Sequence, residues 1–553
     1  MKITSIKSRI TATVTTVAAA ALALSMAPAG AVGSDHGEPR DRAVRPASVV
    51  KVGSGALRGA KNQDTWTFDN VPYAAPPVGD LRWSSPAPVT PWNGVKDATK
   101  PGNRAVQSTD GFGLLPVNLN RTSTPQPVSE DSLDLNVRTP FGSDLPVLVW
   151  IHGGSFTGGS GDAYDTSALA AKGIVVVTVN YRLGPLGFLA DPALDPQGTG
   201  GDYGLQDQQA ALRWVQRNIA TFGGDPKRVT IAGESAGGIS VAAHLVAPGS
   251  RGLFAAAIME SADASSTVPL KTAQKISEDY VTKTLGVQDG PDRASKLRNL
   301  DVKAIEAAES SPATKLAYPI PLGHLPTYGT GSWLVSGGSV LPENPADAIR
   351  EGRAAHVPVL SGTNRDEMNI FGFLMGRFGY PITGSGYPKD LSDEGIPAAI
   401  EEKKYQLGAT SQAPVVLGTA LTDAWVGDVR DQASELAKNA PVYTYEFADR
   451  APALPLQTFN LGAYHIAELP YLFGVADLPV QLNAQQRRLS QQMTDYWADF
   501  IRTGNPNGNR TRTTWSPLPS AVAFRSGETV VTSNAAFSAE HNWAYWKNQP
   551  LDR

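Results

Sequence analysis

Short apolar segments without polar alternation recur along the chain, and they predict strands covered on both faces, as in a parallel sheet. The clearest are Val147–Ile151, Ile174–Val179, Val229–Ala232, Ala255–Met259, Val357–Leu360 and Val442–Phe447. Helical spacing of apolar residues is found at Leu205, Leu212, Val215 and Ile219, before Gly223-Gly224, and at Leu489, Met493, Trp497 and Ile501, before Gly504. Strands that alternate with helices predict an open α/β sheet, mostly parallel, with helices on both faces.

Polar or glycine-rich segments follow three of these strands. They are His152–Phe156 after Ile151, Gly233–Gly238 after Ala232 and Ser361–Glu367 after Leu360. Ligands of open α/β sheets bind beyond the carboxyl ends of the strands. We therefore expect the three segments to converge at one edge of the sheet and to carry the chemistry.

The segment Gly233-Glu234-Ser235-Ala236-Gly237 has the pattern G-x-S-x-G between a predicted strand and a predicted helix. This is the pattern of a nucleophile elbow, in which glycines allow a tight turn and the serine hydroxyl projects from its apex. The helix, from about Ala236 to Val246, directs its N-terminal N–H groups toward the reacting centre. Ser235 is therefore the predicted nucleophile.

A serine hydroxyl needs a base to take its proton and an acid to hold that base. Enzymes with such an elbow place the acid after the serine and the histidine after the acid. Of the seven histidines, only His465 and His541 follow the candidate acids, and we select His465 because it lies in a loop after a predicted strand. Asp366 and Glu367 are adjacent at a strand end, and their spacing does not choose between them. The other carboxylate is expected to be solvated or paired with an arginine.

Backbone N–H groups can stabilise the negative charge that develops on a carbonyl oxygen during attack. Ala236 directly follows the nucleophile and supplies one such group. The His152-Gly153-Gly154 turn supplies others, because glycine permits close approach of the backbone. Ser155 stands where a third glycine is often found, and its N–H can still serve.

Composition removes several classes of function. The chain has 48 Lys and Arg against 52 Asp and Glu, so its formal net charge of −4 gives no electrostatic footprint for nucleic acid. It has no cysteine, which excludes disulfides, thiolate zinc sites, iron–sulfur clusters and a thiol nucleophile. The predicted chemistry needs no cofactor and no metal ion.

The N-terminus has the three parts of a secretory signal peptide. A basic segment with Lys2, Lys7 and Arg9 precedes an apolar run from about Ala12 to Met26, and small residues follow, with cleavage after Ala29 or Ala31. The alternative, a membrane anchor, is disfavoured because the run is short and rich in threonine. We expect residues 1–29 to be removed, 30–46 to form a flexible leader, and 47–553 to form one domain of a secreted protein without a transmembrane segment.

The ordered motifs of the chain resemble those of the type-B carboxylesterase/lipase family, which includes cholinesterases and bacterial para-nitrobenzyl esterases. Besides the elbow, the resemblance rests on Phe68–Ala74, Ser129–Val137, Asn180–Gly184, Asp207–Leu212, Phe222–Pro226, Gly362–Glu367, His465–Gly474 and Thr503–Pro506. These motifs run along nearly the whole mature chain. The resemblance implies an α/β-hydrolase fold and hydrolysis of carboxylic esters.

The resemblance also implies roles for individual residues. Glu367 would be the acid and His465 the base, and Gly154, Ser155 and Ala236 would form the oxyanion hole. It further matches Glu234 to a glutamate before the nucleophile and Ser261 to a serine near the triad, both in supporting positions.

The chain departs from the family pattern in one loop. Ser132 stands where most relatives have a cysteine, and Ala105 or Val106 lies near its usual partner. The loop between them lacks the disulfide that fastens it in relatives, which puts its order in doubt.

The sequence thus predicts a secreted serine carboxylesterase acting on small-molecule or lipid-like esters through an acyl-enzyme. The alternatives are a lipase or polyester hydrolase, an amide hydrolase with the same centre, and a non-catalytic binding ectodomain. The last is disfavoured because all three triad residues are present. Oligomeric state, acyl chain and alcohol are left open.

Overall fold

The computed structural model describes residues 48–107, 126–309, 320–322, 325–327, 333–371, 404–408, 412–450, 460–475, 480–508 and 513–547. An eleven-stranded sheet runs through them. In spatial order its strands are β20 (Glu528–Ser533), β19 (Ser520–Arg525), β17 (Val442–Phe447), β16 (Val359–Asn364), β11 (Ala256–Glu260), β10 (Gly224–Glu234), β7 (Leu145–Ile151), β9 (Val175–Val179), β6 (Asp134–Thr139), β4 (Thr65–Pro72) and β3 (Ala60–Asn62).

Seven neighbouring strands of this sheet, from β19 to β9, are parallel, and the strands outside them pair antiparallel. All six strands predicted from apolar segments lie in the parallel block. Every residue of β9, β11, β16 and β17 is buried, as expected of strands covered on both faces. The prediction of a mostly parallel α/β sheet is confirmed.

Smaller strands lie outside the main sheet. Three form one sheet, β1 (Val49–Val52), β2 (Gly55–Arg58) and β5 (Val95–Asp97), and six form pairs, β12 (Val268–Pro269) with β15 (Val335–Ser336), β13 (Ile320–Leu322) with β14 (Leu325–Thr327), and β8 (Tyr164–Asp165) with β18 (Gly474–Val475).

The described helices connect the strands and cover the sheet. They are α1 (Ser167–Ala170), α2 (Gly184–Phe188), α3 (Tyr203–Asn218), α4 (Ala236–Val246), α5 (Leu270–Asp279), α6 (Arg293–Arg298), α7 (Val302–Glu309), α8 (Pro345–Arg350), α9 (Ala413–Leu436), α10 (Leu469–Leu472), α11 (Ala484–Thr503), α12 (Asn534–Glu540) and α13 (Trp543–Trp546). Both helices predicted from spacing, α3 and α11, are present. Helix α11 begins with a capping box at Asn483 and Gln486 and ends at Gly504, whose φ is 70°.

Successive residues of the central strands point into two apolar layers on opposite faces of the sheet. Val147, Val149 and Ile151 pack on one side with residues of α3 and α4. Leu148 and Trp150 pack on the other side with residues of α11. The site lies between these layers, at the carboxyl ends of the strands.

Two strands differ from their predicted bounds by more than two residues: β16 ends at Asn364 rather than at Leu360, and β10 begins at Gly224 rather than at Val229. Gly223-Gly224 was expected only to end the α3 segment, with the next strand beginning at Val229. Gly223 does end that segment with φ 87°, but Gly224 already pairs with Leu145, and β10 reaches Val229 through a register shift. An irregular strand start of this kind has no apolar pattern, so the sequence did not indicate it.

Both N-terminal segments, the expected signal peptide at 1–29 and the leader at 30–46, lie outside the described residues. Among the helices that are described, none combines the length and apolar character needed to cross a bilayer.

Candidate active site

The chain turns sharply between β10 and α4, and Ser235 occupies the turn with φ 57° and ψ −127°. A non-glycine residue rarely adopts a positive φ, and such strain is maintained only where the surroundings fix it. Here the surroundings are close: a Cβ added to Gly237 would lie 2.0 Å from the carbonyl oxygen of Ile151. One added to Gly233 would lie 2.4 Å from the carbonyl carbon of Gly237. Only glycines allow this turn, which presents Ser235 at the sheet edge.

His465 and Glu367 are in direct contact. Nδ1 of His465 lies 2.7 Å from Oε2 of Glu367, and the backbone N–H of His465 donates to the carbonyl oxygen of Glu367 at 3.1 Å. Glu367 is fully buried, and its Oε1 accepts from the hydroxyl of Ser261 at 2.5 Å and from the N–H of Asn364 at 2.6 Å. The carboxylate is therefore fixed from both oxygens, and it orients the imidazole.

Glu234 places a second carboxylate on the other side of the same ring. Its Oε1 lies 3.2 Å from Nε2 of His465, and its side chain is buried. Burial lowers the pKa of His465, but the charges of Glu234 and Glu367 outweigh that effect and raise the pKa to about 9. Burial raises the pKa of Glu234 to about 8, against the opposing influence of His465. The two groups therefore compete for protons next to Ser235.

Two further buried carboxylates extend this acidic environment, and sequence reasoning missed both. Glu260, at the end of β11, accepts from Nε1 of Trp497 at 2.7 Å, and Glu468 accepts from the side-chain amide of Asn364. Burial raises the pKa of Glu468 to about 7 and that of Glu260 well above its usual range. The available signal was an acidic residue directly after an apolar strand, as at Glu260.

An aromatic contact at the imidazole was also missed. Phe371 lies beside His465 with ring centroids 5.6 Å apart. No pattern around Phe371 in the sequence distinguishes it from a residue of the apolar core.

Asp366 does not face the imidazole. Its Oδ2 accepts the backbone N–H of Ala463 at 2.8 Å, so it fastens the loop that carries His465. Asp366 is half-buried and the charge of Arg365 acts on it, which agrees in part with the expectation of a solvated or arginine-paired carboxylate. The bond to the buried N–H of Ala463 was not indicated by the sequence.

The other described histidines have different environments. His244 packs on α4 as expected, with Nδ1 2.8 Å from the hydroxyl of Ser250, and burial lowers its pKa to about 3. His541 is buried away from Ser235 between Asp423 and Glu446, which agrees with the choice of His465.

The glycine turn after β7 packs directly on the elbow. A Cβ added to Gly153 would lie 2.6 Å from the carbonyl oxygen of Glu234. Gly154 and Ser155 follow with φ values of 118° and 51°, and Ala236 is the first residue of α4, where an N–H has no acceptor in the preceding turn. These are the three predicted oxyanion donors: Ala236 follows Ser235 directly, and Gly154 and Ser155 follow the glycine that packs on the elbow.

The loop that lacks a disulfide is held at its base by other contacts. Arg104 forms a buried ion pair with Asp162 at 2.9 Å, and its N–H donates to the carbonyl oxygen of Pro127 at 2.9 Å. The side chain of Gln107 accepts from the N–H of Gly159 at 3.0 Å and donates to its carbonyl at 2.9 Å. Ser132 is fully buried. Residues 108–125 of this loop lie outside the described residues.

Within the described residues, no group of three or more histidine and carboxylate side chains is arranged to hold a metal ion.

A parallel sheet whose chemistry gathers at the carboxyl ends of its strands, with a serine on a strand-to-helix elbow, defines an α/β hydrolase. The sequence profile of the carboxylesterase family matches residues 46–534, and the chain belongs to this family.

Known relatives agree with this assignment. The chain is 35% identical to para-nitrobenzyl esterase of Bacillus subtilis (strain 168) over 489 residues, which cover 83% of this chain and 90% of that protein. It is 34% identical to pyrethroid hydrolase Ces2e of Rattus norvegicus over 474 residues, which cover 80% of this chain and 78% of that protein. The structure of carboxylesterase EST55 of Geobacillus stearothermophilus superposes with a TM-score of 0.74 at 30% identity, covering 90% of this chain and 100% of that one. The chain is a carboxylic ester hydrolase, and the alternative of a non-catalytic ectodomain is not supported.

Proposed function

We propose that the enzyme hydrolyses esters through a triad of Ser235, His465 and Glu367. The observation that carries the proposal is the 2.7 Å contact between Nδ1 of His465 and the buried carboxylate of Glu367. Nε2 of the same ring lies 3.2 Å from Glu234, the residue before Ser235 on the strained elbow. A carboxylate at Nδ1 fixes the tautomer that leaves Nε2 free to take a proton.

The chemistry proceeds in two steps. The hydroxyl oxygen of Ser235 attacks the ester carbonyl carbon while Nε2 of His465 takes the hydroxyl proton, and the N–H groups of Gly154, Ser155 and Ala236 donate to the oxyanion. His465 then gives its proton to the leaving alkoxide, which departs as alcohol and leaves an acyl-enzyme. In the second step His465 takes a proton from water, the hydroxide attacks the acyl carbon, and the proton returns to Ser235 as the acid leaves.

The substrate class is a small-molecule or lipid-like carboxylic ester. Two of the relatives are named for hydrolysis of pyrethroids and of para-nitrobenzyl esters, both of which have apolar alcohol parts. A panel of nitrophenyl esters from acetate to palmitate, run beside triglyceride emulsions, separates an esterase from a lipase. We expect preference for soluble short-chain esters, and strong activation at the emulsion interface would contradict this.

The roles of the residues are tested by labelling. A fluorophosphonate should attach to one serine, and peptide mapping should find the label at Ser235. Ser235→Ala should remain folded and unlabelled. Labelling of a different serine, or an active Ala variant, would overturn the assignment.

We also propose that the enzyme is secreted and begins as a precursor, with signal peptide 1–29, leader 30–46 and catalytic domain 47–553. The proposal is supported by the basic, apolar and small-residue parts of the N-terminus. N-terminal sequencing of protein from the culture medium should start at Gly30 or Val32. Retention of Met1 in cell-bound protein would contradict it.

A further inference from the structure

The last described helices, α12 and α13, pack on α9, and the family profile ends at residue 534, where α12 begins. Phe537 and Trp546 are buried in an apolar cluster with residues of α9 such as Leu421 and Trp425. Between these helices lies His541, whose side chain is only 3% exposed. The segment therefore carries a buried titratable group that the esterase mechanism does not use.

Both ring nitrogens of His541 face carboxylates. Nδ1 lies 3.0 Å from Oδ1 of Asp423 on α9, and Nε2 lies 2.7 Å from Oε1 of Glu446 on β17. A carboxylate only accepts hydrogen bonds, so a ring that bonds to two of them must donate from both nitrogens and is an imidazolium. Burial lowers the pKa of His541, but the two carboxylates outweigh that effect and raise the pKa to about 9.

From Glu446 the contacts continue to the loop of the triad acid. Oε2 of Glu446 lies 3.3 Å from Nη2 of Arg365, and the same nitrogen lies 2.5 Å from Oε1 of Glu540 at the end of α12. The backbone N–H of Arg365 also donates to the carbonyl of Phe447 at 2.9 Å. Arg365 is two residues before Glu367 in the same loop. The C-terminal segment therefore contacts this loop at Arg365, and the loop presents Glu367 to His465.

Other charged groups face this arrangement from each neighbouring element. The hydroxyl of Tyr405 donates to Oδ2 of Asp423 at 2.7 Å, and the charges of Arg430 and Arg525 act on Glu446. Burial raises the pKa of Asp366, the residue after Arg365, and the charge of His541 opposes that effect. With these groups in place, the imidazolium is the cation that touches both Asp423 and Glu446.

We propose that His541 is a positioning residue of the active site: through Glu446 and Arg365 it holds the loop that presents Glu367 to His465. The inference rests on the proposed triad. Without the imidazolium, Oε1 of Glu446 and Oδ1 of Asp423 each lose a charged donor. Glu446 then keeps its contact with Arg365 and Asp423 keeps the hydrogen bond from Tyr405, so the Glu446–Arg365 pair can rearrange. A shift of the loop by about 1 Å at Glu367 is enough to reduce the rate by up to about 10²-fold.

The test compares His541→Gln, which keeps a hydrogen-bonding side chain without the charge, with Arg365→Met and with the double variant. Trp543→Phe is the control, because the Trp543 ring packs on Phe537 in the same C-terminal helices but takes no part in the hydrogen bonds and ion pairs of His541, Asp423, Glu446 and Arg365 described above. For each folded variant, kcat, KM and the rate of Ser235 labelling by a fluorophosphonate are measured. We expect kcat and the labelling rate to fall about tenfold for His541→Gln, with KM within about twofold, because the triad and not substrate binding is disturbed.

Two further readouts separate positioning from simple stabilisation. If His541 acts through Arg365, the double variant should be no slower than the slower single variant. The ratio of wild-type to His541→Gln kcat should also fall toward one as the pH rises through about 9, because the wild-type imidazolium is lost there. The same ratio for Trp543→Phe should not change with pH.

The outcomes are distinguishable from failure of the proposed triad. Wild-type protein that is not labelled at Ser235 refutes the triad itself. If wild type is labelled normally, any one of three results overturns the role of His541. These are unchanged kcat in His541→Gln, additive losses of kcat in the double variant, and a ratio of wild-type to His541→Gln kcat that does not depend on pH. If His541→Gln does not fold, Arg365→Met decides: a loss of kcat that Arg365→Lys restores supports the proposal, and unchanged kcat overturns it.

Discussion

Replacement of Glu234 by glutamine should move the pH dependence of the enzyme in a defined direction. Catalysis requires neutral His465, and carboxylates at both ring nitrogens favour the imidazolium. A raised pKa means that activity is lost as the pH falls through the raised value. Removing the charge at Nε2 while keeping the shape of the side chain should therefore extend activity to lower pH.

The structure gives the size of the effect. A pKa of about 9 against the ordinary 6.5 corresponds to roughly 3 kcal/mol in favour of the imidazolium. Glu367 remains hydrogen-bonded at Nδ1 in the variant, so only part of this preference is removed. We expect the acid limb of kcat/KM to move down by about 1–2 pH units, and the neutral fraction of His465 at pH 7 to rise about tenfold or more.

The assay is the pH profile of kcat/KM on a nitrophenyl butyrate at constant ionic strength, with product read at its isosbestic wavelength. Glu528→Gln, at an exposed position on β20, is the matched control and should leave the limb unchanged. An acid limb that stays in place or moves upward in Glu234→Gln would refute the reasoning. It would mean that Glu234 is already protonated, and therefore uncharged, where His465 titrates.

Four further outcomes are expected. Ser235→Ala should lower kcat by about 10⁴–10⁶-fold with unchanged circular dichroism, since the nucleophile is lost. Glu367→Gln should lower kcat by about 10³–10⁴-fold, whereas Asp366→Asn, which only weakens a bond to Ala463, should cost far less in the same assay. Arg104→Met should lower the free energy of unfolding in urea by about 3–5 kcal/mol, because it leaves a buried carboxylate without its partner. Dithiothreitol should change neither Tm nor kcat, because the chain has no cysteine.

The sequence predicted the centre of the fold better than its edges. Strands buried on both faces produce apolar segments, and such segments indicated six of the seven strands of the parallel block, whereas β19 was not predicted. The antiparallel strands β3, β4 and β20 have mixed or exposed patterns, and no segment indicated them. Their positions depend on pairing with distant strands rather than on local periodicity.

The candidate site was predictable where chemistry demands a residue at a fixed spacing. The elbow required Ser235, chain order favoured His465, and the family resemblance pointed to Glu367 over Asp366. The acidic surroundings were not predictable, because Glu260 comes near Glu234 and Glu468 only through the tertiary fold, and the sequence does not show that Glu468, three residues after His465, is buried. For the same reason the sequence could not give the direction of the pKa shift of His465, which depends on burial against two nearby charges.

Gly237 packs against Ile151 and Gly153 packs against Glu234, with no room for a side chain at either glycine. This close packing limits how the enzyme can be engineered. The turns that carry the proposed nucleophile and the proposed oxyanion donors are in close backbone contact, since a single methyl group at either glycine would collide with backbone atoms. Randomised libraries that include these positions would consist mostly of inactive members. New specificity is better sought in side chains such as Phe371, which lines the imidazole without supporting the elbow.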